Sequence, residues 1–451
     1  MLNFSIIKKT QLEGQNRLDA EYYQPEYLEV GRILLGSPFL GSLARKITDF
    51  GAYSQMNFVE FIETGVRFLK SQDIDEFFIN DNEQTYISED TYDKLSLKLE
   101  EFDIVTSRVG TLGNSAVISK KNLPATANQN LAQIKPDITK VDPIYLSIFL
   151  CSCFGKKQFE RAATGNVQPW LNLAQIKSLK VFLPSKNEQS IIKNFGLEAV
   201  DEKAKASDYA LEAENLLIDE LSLSGIKTEY DLSFTTRLSV IKTASRLDAD
   251  YFQPKYEQLI KSLGNSKKLG ELVSMKKGIE PGADVYQEQG KKFIRVSNMS
   301  RFGVTDNDQR YISEELYQKL RNDYRPSVGE ILLTKDASPG MAYVLKEELD
   351  GIVSGGILRL KLREKIEPEY LVLCINSIVG RMQVERDAGG SIINHWRLDQ
   401  VKEILIPILP KETQDKIADL VKKSHKSRRK SKDLLEEAKR KVEALIEKGE
   451  S

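Results

Sequence analysis

Residues Arg17–Tyr27 read RLDAEYYQPEY, and residues Arg246–Tyr256 read RLDADYFQPKY. Eight of these eleven positions are identical; the other three exchange Glu for Asp, Tyr for Phe and Glu for Lys. The echo continues at a nearly constant offset. YISEDTYDKL from Tyr86 answers YISEELYQKL from Tyr311, DPIYL from Asp142 answers EPEYL from Glu367, and LPSKNEQ from Leu183 answers LPKETQ from Leu409. A repeat this long marks a duplicated half-chain and outranks any local reading.

Composition sets looser bounds. The 451 residues would ordinarily suggest about three domains of roughly 150 residues, which the repeat replaces with two pairs. Hydrophobic content of 41% is enough for packed cores. The 65 basic and 66 acidic residues nearly cancel, so any polyanion must be met by a segregated basic face or with a partner's help. No apolar run approaches the roughly 18 residues of a membrane helix, and the N-terminus lacks a secretory pattern, so a cytoplasmic location is expected. Cys151, Cys153 and Cys374 lie in apolar segments and read as buried thiols of a reducing compartment, with no zinc-site spacing.

Both copies share one internal order. The first opens with an extended stretch at Phe4–Lys8 and a helix predicted over Ala20–Leu35, with Pro25 in its first turn, where a missing N–H costs little. Strand-like runs follow at Val66–Lys70, Phe77–Ile79, Asp103–Arg108, Ser115–Ser119, Leu131–Pro136 and Lys180–Pro184, separated by turn residues. Helices are predicted at Glu89–Leu99 and Pro143–Ala163. The pattern is a mixed α/β (α+β) domain.

Two long helices are predicted over Asn187–Leu221 and Glu412–Lys448. Their seams run Ile192, Phe195, Ala199, Glu202, Ala206, Tyr209, Ala213, Leu216, and Ile417, Leu420, Ser424, Ser427, Ser431, Leu434, Ala438, Lys441, Leu445. Small residues in mid-seam let helix backbones approach closely. The expected architecture is therefore two repeated globular domains joined by two long antiparallel coiled-coil helices, with pseudo-twofold symmetry. Independent surface helices are the alternative. The expected boundaries are 1–184 for the N-terminal segment and first domain, 185–224 for the central helical region, 225–410 for the second segment and domain, and 411–451 for the C-terminal helical region. A helix of about 35 residues spans roughly 50 Å. That is about one and a half turns of duplex DNA, itself roughly twofold, so a reader at each end would measure a split site.

The paired RLDA motifs, TSRVGTLGN at Thr106–Asn114, GNVQPWLNLAQIKSLKVFLPSKNEQ at Gly165–Gln189 and the two-copy layout together resemble the specificity subunit of type I restriction-modification systems. The resemblance covers essentially the whole chain. It implies a target recognition domain in each half, reading one half of a bipartite double-stranded DNA sequence. It implies helical regions that set the gap and dock two methylation subunits, with restriction subunits joining the full complex. It implies no catalysis in this chain, with S-adenosylmethionine held by the methylation subunits.

The residues agree about chemistry. There is no Asn/Asp-Pro-Pro-aromatic tetrad, no strand-borne Gly-rich loop suited to S-adenosylmethionine and no G-x-x-x-x-G-K-[ST] phosphate loop. Of two histidines, His425 lies in a basic helix, and His395 has no histidine counterpart at Pro169-Trp170, so it reads as a base-reading or packing group. A self-contained methyltransferase or nuclease therefore lacks its motifs. A coiled-coil protein scaffold that never meets DNA is the remaining alternative, supported by the near-neutral charge.

Candidate DNA-facing residues fall on loops that diverge between matched scaffolds. The first loop carries Arg108, Gly110, Thr111, Gly113 and Asn114, against Lys335, Asp336 and Ser338 in the second copy; glycines admit close backbone approach, and Arg, Thr and Asn can bond base edges. An ordinary strand-connecting turn is the alternative. The next pair sets Asn166 and Gln168 against Ser391, Asn394 and His395; the alternative is that Trp170 and Trp396 only seat the loop. A third sets Asn128, Gln129 and Asn130 against Ser354. Lys70, Ser71, Arg295 and Ser297 end matching strands and are candidates for phosphate. The basic run Lys422–Lys430 either meets phosphates or is a solvated helix face. The RLDA motif reads as structural, its Arg and Asp pairing to fix the start of each copy against the other's helix, or as a partner dock.

Overall fold

The structure, a computed structural model, describes residues 5–12, 17–51, 59–80, 84–165, 168–388 and 394–449. The chain forms two compact units, Met1–Ala204 with Arg428–Ser451, and Lys205–Ser427. The division cuts through both long helices, Lys186–Glu220 and Lys411–Lys448.

The duplication survives at the level of sheet order. In the first unit a four-stranded antiparallel sheet runs Ala44–Asp49, Leu131–Pro136, Ile104–Ser107, Ser115–Val117. In the second, Val273–Lys277, Ile357–Leu362, Ile331–Thr334 and Ala342–Val344 take the same places. A second sheet in each unit sets one parallel pair, Val66–Leu69 beside Ala125–Ala127 and Lys291–Ile294 beside Gly351–Val353. The Lys180–Pro184 run is not a strand; it makes a single bridge, Phe39 to Lys180, whereas its counterpart Leu405–Pro407 pairs with Ser266–Lys268.

Helix ends differ from expectation where capping chemistry intervenes. Ala20–Tyr23 is a 3-10 turn and the helix proper starts at Pro25, running to Ile33. The expected Pro143–Ala163 helix is two, Pro143–Cys151 and Cys153–Ala162, because the Ser152 hydroxyl accepts from the Gly155 N–H and starts a new helix. Glu89–Lys94 stops short of Leu99. Phe4 lies outside the described residues. Cys151 and Cys374 are buried, but Cys153 is exposed at that helix start, correcting its reading as a buried thiol.

Repeated sequence proves to be repeated bonding. Gln189 accepts the Asp142 N–H at 3.0 Å and donates to the Pro184 carbonyl at 3.0 Å; Gln414 accepts the Glu367 N–H at 3.3 Å and donates to Leu409 at 2.9 Å. Tyr145 and Tyr370 donate to the carbonyls of Phe182 (2.6 Å) and Pro407 (2.8 Å). The DPIYL and LPSKNEQ echoes thus tie each domain to the first turn of its helix. Within the first unit the Ser431 hydroxyl donates to the Ala199 carbonyl, and within the second Ser424 donates to Ala206, each at 2.6 Å. Such bonds need a small residue on both sides, which is why Ala199, Ala206, Ser424 and Ser431 are small.

The RLDA motif is a clamp inside its own unit. Arg17 chelates Asp19, donates to the Ala162 carbonyl at 3.1 Å and lies 4.5 Å over Tyr22, whose ring Arg161 also approaches at 4.3 Å. Arg246, Asp248, Asp387, Tyr251 and Arg386 repeat it. The ion pair exists as expected, but it anchors the end of the helix Cys153–Ala162 or Ile378–Asp387 rather than the other copy's helix. The reason is reach: the forked guanidinium finds the last-turn carbonyls a few residues away in space.

Gln189→Leu strands a buried N–H and a buried carbonyl. It should destabilise the chain by about 1–3 kcal/mol in urea unfolding. A loss below about 0.5 kcal/mol would show that this tie contributes nothing.

Candidate nucleic-acid interface

The candidate loops converge because backbone bonds tie them together. The Arg108 N–H donates to the Asn130 carbonyl at 2.9 Å, and the Arg108 carbonyl accepts from the Leu171 N–H at 3.0 Å. Ser107 N–H reaches Asn114 O at 2.9 Å, Gly113 N–H reaches Ser107 O at 3.0 Å, and Asn128 N–H reaches Leu69 O at 2.8 Å. The second unit repeats all five. Lys335 donates to Gly356 and accepts from Trp396, both at 2.8 Å; Thr334 donates to Met341 and Gly340 to Thr334, both at 2.9 Å; Ser354 donates to Ile294 at 2.8 Å.

This frame sorts the candidates. Gly110, Thr111, Gln168, Ser297, Ser338 and His395 are exposed. Arg108 is held inward: its guanidinium pairs with Asp49, donates through Nε to Leu171 O at 2.8 Å and through Nη1 to Gln129 O at 3.3 Å. It fastens loops together. Asn114 donates to Ile74 O, Asn128 accepts from Asn130 N–H, and Ser71 donates to Asn130 O. The buried Gln129 Oε1 has no protein partner. Lys70 lies 5.2 Å over the Phe61 ring, and Arg295 pairs with Asp308 at 2.8 Å. Ser354 is buried, where a base edge does not reach. Asn166 and Ser391 lie outside the described residues, as does the Asn394 side chain.

The second unit carries its own charge network. Lys335 Nζ meets Asp336 at 2.5 Å, and His395 Nδ1 lies 2.8 Å from the other Asp336 oxygen. Burial pushes the Asp336 carboxyl up, but hydrogen bonds from Lys335 and His395 outweigh it and hold it below the usual carboxylate range. In the basic run, Lys422 and Lys430 sit beside Glu367 (3.5 Å) and Glu198 (2.8 Å), and His425 is half-buried 3.8 Å from Glu369.

The two tryptophans are not equivalents, contrary to their pairing by sequence. Leu171, not Trp170, shares the bonding of Trp396, and both are fully buried; Trp170 is 43% exposed and stands opposite Val109, as His395 stands opposite Asp336. The signal was present: LAQIK at Leu173 against LDQVK at Leu398 fixes an offset that puts Trp170 beside His395. Asp49, the partner of Arg108, had no local signal.

Among the described residues no cluster of His, Cys, Asp and Glu is arranged to hold a metal ion, and no helix is long and apolar enough to cross a membrane. The type I restriction modification DNA specificity domain family matches residues 45–207 and again 264–440. The chain belongs to that family. It is a DNA sequence-recognition subunit with two specificity domains. Among solved structures, it is similar to the specificity subunit of a type I restriction-modification system from M. genitalium, at 14% identity over 92% of this chain and 96% of that one, with a TM-score of 0.42. The HsdS subunit from Thermoanaerobacter tengcongensis matches at 14% identity over 91% and 95%, with a TM-score of 0.29. No curated protein matches.

Each specificity domain keeps a glycine against a helix at the base of its first loop. A Cβ on Gly113 would lie 2.4 Å from the Phe159 ring, and one on Gly340 2.9 Å from Val384, whereas one on Gly110 meets open space. All three have positive φ. Gly110→Ala should therefore cost about 1 kcal/mol of backbone strain, and Gly113→Ala a further ~1–3 kcal/mol of overpacking. Equal melting temperatures for the two variants would contradict this.

Proposed function

We propose that this chain is the non-catalytic specificity subunit of a type I restriction-modification complex. Each half reads one half of a bipartite duplex site. The two long helices pair antiparallel, giving the molecule pseudo-twofold symmetry and fixing the gap. Two methylation subunits, which hold S-adenosylmethionine, dock on the chain and modify adenine; restriction subunits complete the complex in the cytoplasm. The observation that carries the reading is a bonding frame repeated bond for bond, with divergent exposed side chains on it. Thr111 and Gln168 serve the first half-site and Ser338 and His395 the second, while Lys70, Ser71, Arg295 and Ser297 lie toward phosphate. Asn166, Ser391 and Asn394 are candidates for the same role.

Mapping methylated adenines in cells that express the chain with its modification subunits tests this. A split motif with a fixed gap, lost when the chain is omitted, is expected. Methylation unchanged by its omission would favour a scaffold without DNA binding.

The RLDA leucine supplies the docking chemistry. Arg, Asp and Tyr of the motif are engaged internally, but Leu18 is 82% and Leu247 88% exposed. A lone exposed apolar side chain is ordinary, but the same one kept outward at the same place in both copies fits one partner species bound twice. Leu18→Lys and Leu247→Lys should each cut the bound methylation subunits from two to one by native mass spectrometry, and the double variant should abolish binding. Two subunits still bound to the double variant would refute this docking site.

A further inference from the structure

Position 170 and position 395 are the same place in the two specificity domains. Eight residues separate the helix-end carbonyl held by Gln175 (Ala162, 2.6 Å) from Leu171, and eight separate the one held by Gln400 (Asp387, 2.9 Å) from Trp396. Both ends of the loop are thus pinned by equivalent bonds, and the last residue before the buried anchor is Trp170 in one unit and His395 in the other. Both side chains are outward, Trp170 at 43% and His395 at 63% exposure. Their backbones are fixed by antiparallel bridges to Val109 and Asp336.

A large side chain standing outward on a doubly pinned backbone is costly without a ligand. An exposed indole forfeits its burial, and an imidazole held by a carboxylate forfeits rotational freedom. The surrounding frame is common to both domains, whereas this position changes its chemistry completely. That is how a reader differs from a scaffold.

Resting on the function proposed above, we infer that Trp170 and His395 are specificity-determining residues, each reading one base position of its own half-site. Their chemistry indicates what they read. Asp336 is ionised and can only accept, so His395 Nδ1 carries a hydrogen, and in the tautomer that this bond selects Nε2 is an acceptor. In the major groove that acceptor suits the amino group of cytosine or adenine. Trp170 offers an apolar face with no paired carboxylate, which suits the thymine methyl group.

The test is methylation-motif mapping with the full complex carrying Trp170→Ala, Trp170→Phe, His395→Ala or His395→Gln. Trp170→Ala should relax the preference at one position of one half-site about tenfold, leaving the gap and the other half-site intact. His395→Ala should do the same in the opposite half-site. Trp170→Phe and His395→Gln, which keep an apolar ring and an acceptor, should retain most of the preference. Replacing thymine with deoxyuracil at the position relaxed by Trp170→Ala should weaken wild-type binding to the same degree. Motifs unchanged in the alanine variants, at normal methylation levels, would overturn the inference and leave the specificity function standing. So would equal loss at every position of both half-sites, which marks a packing role. If wild-type methylation shows no motif that depends on this chain, the function itself fails.

Discussion

The crossing at Arg108, and again at Lys335, is the constraint on which each domain depends. There one residue gives its N–H to the last carbonyl of the 128–130 or 354–356 turn and its carbonyl to the chain returning at Leu171 or Trp396. Three segments remote in sequence meet at one residue. The bonds are made by backbone, so they hold whatever side chains the segments carry. A domain built this way can keep its frame while its surface residues diverge. The duplicated chain displays that separation internally: the bonds repeat, and the exposed residues do not.

Side chains near the crossing divide into those that close the frame and those that leave it. Arg108 would ordinarily be read as a guanine-binding group. Its guanidinium is instead spent on Asp49, Leu171 and Gln129, all within the domain. The second unit lacks this fork and uses Lys335, whose single ammonium reaches Asp336. Asp336 then has an oxygen left for His395. Replacements at the crossing and beside it, Arg108 by Lys335, Val109 by Asp336 and Trp170 by His395, therefore change together which neighbour is held and what it presents to solvent. That coupling links the frame to specificity without altering the frame.

How much was legible in the sequence follows from which contacts leave a local pattern. The RLDA, YISE and LP…Q echoes are pieces whose bonds are made by side chains: Arg17 to Asp19, Ser88 to the Thr91 N–H, Gln189 to the Asp142 N–H. Such bonds fix residue identity, so both copies spell them alike. The two long helices were legible from the spacing of Ile192, Ala199, Ala206 and Ala213, all buried. The candidate site was legible only as a set of loops. Its frame is backbone, which any sequence can supply, and the offset between copies drifts by two residues from Ser107/Thr334 to Leu171/Trp396. That drift is what set Trp170 against Trp396. Lys180–Pro184 has a strand-like composition but only one bridge to pair with, and composition does not report a partner.

The most direct test is a structure of the chain with its methylation subunits on the cognate duplex. The account predicts that the edges at Arg108 and Lys335 each face a major groove, with Thr111 and Trp170 on one half-site and Ser338 and His395 on the other, and with the guanidinium of Arg108 still turned toward Asp49. Bases contacted from another face of each domain, with these edges left in solvent, would contradict it.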